Sequence, residues 1–448
     1  MNRSLALLLL LVPLAGCVNH QRFVDRTPDG EEAKFRGLGD YVEGGKSLYV
    51  IQVHGMGDHS YENDCSDGSG ASRSVSRNVL LQREIAERLG YVLDPDHVLL
   101  NQAIPVAGTP KAGSFSISRY RDLLRGRGDI YFSCVTWGET TRVIKQGMLE
   151  LDGNFLETNR DESRRALINR EAKRFVNRSF TDPVIYLGSM GGYIRHVVWS
   201  GMALSLREHA RLNALEEGAS QVFGLASITS FAEDKTFVII SDSLGSRVVF
   251  DAIAENDQYS AESSQQRPSV DHFSPVRPGA VSVELGQMLA NHLRVSVRSV
   301  YMFANQLPLL ELGYMPPPSD EESLEDWVIA RRSRYCSLPE AWTVRRKVET
   351  DSEQRTDQRA EQREELGVQL VAFTDANDAL SYRLSESFVS RCGRTDTDSA
   401  SGGLEIINVG LSNARLRWMF VYSDLVEAHS EGFKRNSDAI EYVVSGND

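Results

Sequence analysis

The chain has 448 residues, of which 41% are hydrophobic and 25% charged, a balance that excludes both a polytopic membrane protein and a disordered polymer. Its net charge of −13 lacks the basic footprint of a nucleic-acid binder, so no nucleic-acid partner is expected. The length fits either two domains of roughly 150–200 residues or one large α/β domain carrying insertions.

The amino terminus reads Met1-Asn2-Arg3, then a Leu-rich run from Leu5 to Leu14 broken only by Pro13. A basic start and an apolar stretch of this length form a signal peptide, too short to span a bilayer comfortably. It ends in Leu14-Ala15-Gly16-Cys17, which resembles the lipobox of bacterial lipoproteins. The resemblance implies a signal peptide over residues 1–16, cleavage before Cys17 and a lipid on the Cys17 sulfur. Val18, where inner-membrane lipoproteins carry Asp, implies outer-membrane sorting in the cell envelope. Residues 17–45 carry many charges, prolines and glycines with no clear apolar period, and read as a flexible tether.

From residue 46 onward, short apolar runs alternate with helical patterns. Leu48 to Val53, Ile130 to Val135, Thr236 to Ile240, Val295 to Phe303, Val368 to Phe373 and Leu404 to Val409 are strand candidates. These runs are continuous rather than alternating, as expected of strands covered on both faces. Val79 to Leu89, closed by Gly90, and Ser246 to Ala254 read as helices. The rhythm predicts an α/β protein with a mostly parallel sheet between helices, one domain over 46–448. Three stretches look inserted: about 140–235, with a helix near Tyr193 to Arg211 that could cap a site, about 255–280, and 313–366, which holds a charge-dense run from Thr343 to Glu365. Beyond Cys17 the cysteines are Cys65, Cys134, Cys336 and Cys392, an even count that permits disulfides in an exported protein. Cys336 and Cys392, in polar surroundings, are the favoured pair, while Cys134 reads as a buried strand residue.

The chemistry centres on Thr236 to Ile240, followed by Ser241-Asp242-Ser243-Leu244-Gly245-Ser246 and a helical pattern. A buried strand that turns tightly through Ser243 into a helix lifts the hydroxyl off the sheet and aims the next backbone N–H at a reacting carbonyl. Ser243 as a mere helix cap is the bland alternative. The segment resembles the nucleophile elbow, Gly-x-Ser-x-Gly, of the α/β-hydrolase superfamily, with Ser241 in place of the first Gly.

Three further segments extend the resemblance. Val50-Ile51-Gln52-Val53-His54-Gly55-Met56-Gly57 is similar to the oxyanion loop of lipases and esterases, which assigns the Met56 N–H, with that of Leu244, to the oxyanion. The strand Leu370 to Phe373 runs into an acidic loop where the family keeps its orienting carboxylate. Asp378 fits the family pattern better than Asp375, and the loser is a turn former. Ala428-His429-Ser430 resembles the base-bearing run of lipase-like members. It completes the chain order Ser243, Asp378, His429 used by that superfamily.

The resemblance spans residues 48–433 and implies an α/β-hydrolase fold and a serine esterase. His429 would take the Ser243 proton, Asp378 would orient the imidazole, and neither metal nor organic cofactor would be needed. A small-molecule or lipid acyl ester is the expected substrate, with the membrane met through the lipid anchor. Thioester hydrolysis and acyl transfer use the same residues, and a non-catalytic envelope protein using the fold as a binding module is the rival from another class. His59 is placed at the mouth of the site. Gly188-Ser189-Met190-Gly191-Gly192 reads as a turn before a helix, and His196 and His209 as packed or solvated side chains.

Overall fold

A computed structural model describes residues 22–27, 29–43, 45–57, 64–68, 75–106, 109–149, 173, 175–218, 224–261, 281–311, 323, 368–375, 378, 380–384, 404–411, 429 and 432–447. Among the described residues nine strands form one sheet: β1 (Phe23–Val24), β2 (Ser47–Val53), β3 (Val92–Val106), β4 (Thr109–Arg121), β5 (Ile130–Thr136), β6 (Lys235–Asp242), β7 (Val297–Phe303), β8 (Val368–Asp375) and β9 (Leu404–Leu411). Their spatial order is β1-β9-β8-β7-β6-β2-β5-β4-β3. The strands β9, β8, β7, β6, β2 and β5 run parallel, whereas β1 pairs antiparallel with β9, and β3 and β4 form an antiparallel edge beyond β5. The protein is thus α/β, with a mixed sheet whose central six described strands are parallel and whose two edges are antiparallel.

Side chains alternate across each strand, so the sheet divides the core in two. Tyr49, Ile51, Phe237 and Ile239 point to one layer; Leu48, Val50, Val238 and Ile240 point to the other. Burial on both faces explains the unbroken apolar runs of the parallel strands. The helices, in chain order, are α1 (Leu38–Glu43), α2 (Arg77–Leu89), α3 (Gly138–Leu149), α4 (Thr181–Leu187), α5 (Gly191–Glu216), α6 (Leu225–Glu233), α7 (Leu244–Ala261), α8 (Val283–Ser296), α9 (Leu307–Glu311), α10 (Gly432–Arg435) and α11 (Ser437–Ser445). Helices α5 to α8 pack on the first layer, and α1, α2 and α11 on the second. Helix α2 starts at Ser76, whose side chain accepts the Val79 N–H, and stops at Gly90, whose φ of +77° suits a residue without Cβ.

Several expectations change. Residues 22–27 and 29–43, read as tether, fold onto the domain: β1 extends the sheet, and Phe35, Leu38 and Val42 are core residues. Helix α5, which could have capped a site, instead buries Ile194, Val197, Val198, Met202 and Leu206 in the main core. His209 is packed there too, and Gly188–Met190 do form the turn before the helix. The strand anticipated from Val295 starts at Val297, because α8 continues through Ser296. Among the described cysteines the bridge is Cys65–Cys134, which fastens the segment after β2 to strand β5. Cys17, His59, Cys336, Cys392, residues 150–172, 262–280 and all of 313–366 but residue 323 lie outside the described residues. No described helix is long and apolar enough to cross a membrane.

Candidate active site

Strand β6 delivers Ser243 at the carboxyl edge of the sheet. Its φ is +51°, left-handed for a residue with a Cβ, as a sharp strand-to-helix turn requires. Such a conformation costs on the order of 1–3 kcal/mol and survives only where the surroundings fix it. Here they do: the Ser243 N–H donates to the Phe303 carbonyl of β7 at 2.7 Å, and its own carbonyl accepts the Ser246 N–H at 3.2 Å. Ser241, standing where the resemblance has Gly, is buried, with its hydroxyl 2.9 Å from that of Ser246. The departure is therefore absorbed by an internal hydrogen bond.

Ser243 Oγ lies 2.6 Å from His429 Nε2, and His429 Nδ1 lies 2.6 Å from Asp378 Oδ2. A carboxylate only accepts, so the Nδ1–H donates to Asp378 and leaves the Nε2 lone pair facing the serine hydroxyl. All three residues are buried. The second oxygen of Asp378 accepts the Leu380 N–H at 3.0 Å. Asp375 ends β8 and is also buried, and its carbonyl accepts the Asp378 N–H at 3.0 Å, so it shapes the turn that presents Asp378.

Opposite the elbow runs the loop His54-Gly55-Met56-Gly57. A Cβ on Gly55 would stand 2.6 Å from the Asp242 carbonyl oxygen, and one on Gly245 only 2.3 Å from that of His54. Both glycines are demanded by the approach of two backbones. His54 is a fastener: its Nε2 accepts the N–H groups of Trp137 (2.9 Å) and Gly138 (3.2 Å), so the Nδ1–H donates to the Gly55 carbonyl at 2.7 Å. The Gly57 N–H is spent on Asp182 Oδ2 at 2.7 Å. Met56 is buried between these fixed points, and Leu244 opens α7 directly behind the serine.

Four side chains that the sequence did not single out complete the site. Lys145 and Asp182 form an ion pair at 2.9 Å, each only 1% exposed, and Lys145 Nζ also donates to the Gly57 carbonyl at 2.8 Å. Burial raises the Asp182 carboxyl above its usual range even though Lys145 opposes the shift. Lys434, on the short helix that follows His429, reaches Asp242 beside the serine at 2.8 Å. Gln306, just beyond β7, sets its Nε2 3.0 Å from His429 Nε2 and 3.7 Å from the Met56 sulfur. A buried Lys in a helical pattern carries no local signal. For Gln306 the signal is positional: it follows β7, the strand next to the one that delivers Ser243, at the sheet edge where ligands gather.

Away from this edge, Asp94, His97 and Glu216 could each turn one ligand atom to a common point. Arg119 pairs with both carboxylates, and Arg121 does likewise. His97 Nε2 is 3.0 Å from His209 Nδ1. The donors are thus already committed to an ion-pair and imidazole network.

No family model, no curated protein and no solved structure matches the chain.

Proposed function

We propose that the chain is a serine hydrolase of the α/β-hydrolase kind, cleaving acyl esters through an acyl-enzyme. The observation that carries this reading is the unbroken path Ser243 Oγ–His429 Nε2 and His429 Nδ1–Asp378 Oδ2, with 2.6 Å at each link and the serine held at positive φ. His429 removes the Ser243 proton as Oγ adds to the ester carbonyl, then protonates the departing alcohol. Asp378 keeps the imidazole in the required tautomer and stabilises the imidazolium. The N–H groups of Met56 and Leu244 meet the oxyanion of the tetrahedral intermediate. Commitment of the Gly57 N–H to Asp182 supports Met56 as the loop donor. Water then attacks the acyl-enzyme, and no metal or organic cofactor takes part.

The lipobox-like Leu14-Ala15-Gly16-Cys17 supports a lipid-anchored protein of the bacterial envelope, outer-membrane sorted. An enzyme tethered there meets abundant acyl lipids, which favours lipid or related acyl esters as substrates. The complete burial of Ser243 favours a second reading, a binding module that keeps the fold without turnover.

A p-nitrophenyl ester series from acetate to palmitate, with Ser243→Ala alongside, tests the proposal on protein starting after Cys17. Turnover that falls by about three to six powers of ten in the variant is the expected result. A fluorophosphonate probe that leaves folded wild-type protein unlabelled, together with silence across the ester series, favours the binding module.

A further inference from the structure

Gln306 is 1% exposed, and its Oε1 has no hydrogen-bond partner among the described residues. A buried carbonyl oxygen left unpaired forfeits its hydration without compensation, so such an atom beside a reactive centre points to a ligand that supplies the missing donor. Its position is well fixed. Ala304, at φ +51°, turns the chain out of β7, with its N–H on the Phe373 carbonyl at 3.1 Å. Asn305 then locks the turn, its Nδ2 donating to the Tyr382 carbonyl at 3.0 Å and its Oδ1 accepting the Leu307 N–H at 3.1 Å. The Gln306 amide that follows reaches from Met56 to His429, spanning the two halves of the site.

Resting on the serine-hydrolase reading, we propose that Gln306 selects water as the second nucleophile, committing the acyl-enzyme to hydrolysis rather than acyl transfer. In the acyl-enzyme, Ser243 Oγ is esterified and no longer donates to His429. The incoming nucleophile takes that place and directs one O–H at Nε2. Water has a second O–H, which Oε1 of Gln306 accepts, so the molecule is held by two bonds and the orphan oxygen is satisfied. An alcohol has one O–H only, and spends it on His429. With an alcohol bound, Oε1 stays unpaired. As the nucleophile's oxygen adds to the acyl carbon, its proton passes to Nε2. The tetrahedral intermediate then collapses, the bond from acyl carbon to Ser243 Oγ breaks, and Oγ recovers the proton from His429. Water yields the free acid and an alcohol yields a new ester. The two routes differ only in the contact to Gln306.

The test uses p-nitrophenyl acetate with and without added methanol. Nitrophenol release is followed through the first turnover, and the methyl acetate to acetate ratio is measured at steady state. Gln306→Met removes the acceptor at similar volume, while Gln306→Glu retains an acceptor. In Gln306→Met the initial burst is expected to persist, the rate of hydrolysis to fall about 10- to 100-fold, and the ester-to-acid ratio to rise at least about tenfold. Gln306→Glu keeps a ratio near that of the wild type. A ratio unchanged in Gln306→Met, or raised equally in both variants, overturns the inference and leaves the serine hydrolase standing. Should Gln306→Met not fold, a raised ratio in Gln306→Glu still refutes it and a retained preference for water supports it. Wild-type protein with neither a burst nor fluorophosphonate labelling at Ser243 refutes the parent reading, and the inference with it.

Discussion

Gly55 and Ser243 are in such close contact that a Cβ at position 55 would lie 2.7 Å from the Ser243 Cβ. The contact is reciprocated, since Gly245 faces His54 and Val53 on the other side of the same junction. The two backbones that would carry the oxyanion donors are therefore set against each other without intervening side chains. Their separation is fixed by the absence of two methyl groups.

Gly55→Ala should consequently injure catalysis far more than its size suggests. The new methyl group meets a backbone carbonyl and the Cβ of the serine, neither of which can rotate away. The loop must shift by an appreciable fraction of an ångström, and misplacement on that scale costs about 100-fold in rate. Steady-state kinetics on a p-nitrophenyl ester should show the loss in kcat, with far-UV circular dichroism unchanged. Wild-type kcat in a folded Gly55→Ala protein removes the loop from the mechanism.

Much of this arrangement was legible because strands buried on both faces, tight turns and close backbone contacts impose narrow residue choices. Runs such as Leu48 to Val53 and Thr236 to Ile240 can be little else, and Gly55 and Gly245 mark the turns beside them. The edge hairpin β3–β4 escaped notice for equally physical reasons. Pro95 and Pro105 interrupt β3, which tolerates them as an edge strand, Pro110 sits at the start of β4 before its pairing with β5 begins at Ser114, and the register of the hairpin shifts three times. The alternation Ser114-Phe115-Ser116-Ile117-Ser118 in β4 was the readable signal there. The Cys65–Cys134 bridge was not singled out because its two cysteines meet across a sequence separation of 69, which neither local neighbourhood encodes. Lys145, Asp182, Lys434 and Gln306 act through contacts distant in sequence, which no local pattern encodes.

The Lys145–Asp182 pair makes a stability prediction that separates charge from function. Lys145→Met leaves an isolated buried carboxylate, and breaking a buried pair this way costs about 3–5 kcal/mol. Adding Asp182→Asn removes that charge while keeping an acceptor for the Gly57 N–H, so the double variant should regain much of the lost stability. Its kcat should stay low, because the Gly57 carbonyl has still lost its lysine. Urea unfolding and ester kinetics on both variants check this. Additive stability losses in the double variant contradict the pairing.

The Cys65–Cys134 bridge closes a loop with a sequence separation of 69. Chain-entropy arguments give a loop of that size about 4 kcal/mol of stabilisation. A Cys65→Ser/Cys134→Ser protein should unfold several degrees lower than the wild type, whether or not reductant is present. Both cysteines are buried, so dithiothreitol should act on the folded wild type only slowly. Melting curves with and without reductant, after short and long incubation, measure both effects. Identical melting of wild type and double serine variant shows that the bridge does not stabilise the fold.

The imidazole pair on the far side of the sheet from α2 predicts how the fold responds to acid. Burial, aided by Arg119, pushes His97 down to about 4, and burial with the neighbouring His97 drives His209 well below its ordinary 6.5. Asp94 and Glu216 pull His97 upward but do not prevail. Between about 4 and 6.5 the unfolded chain therefore binds protons that the folded chain refuses. Stability rises with pH through that window: the contribution is complete above about 6.5 and is lost as pH falls toward 4. Each histidine contributes at most about 1.4 kcal/mol per pH unit. The wild-type Tm should accordingly fall between pH 7.5 and 5. His97→Asn, which keeps a donor toward His209 without a titrating ring, should show a shallower fall. Its Tm at pH 7.5 is lower than that of the wild type, and the two curves converge on acidification. Parallel curves across that range exclude His97 as one of the groups through which acid unfolds the protein.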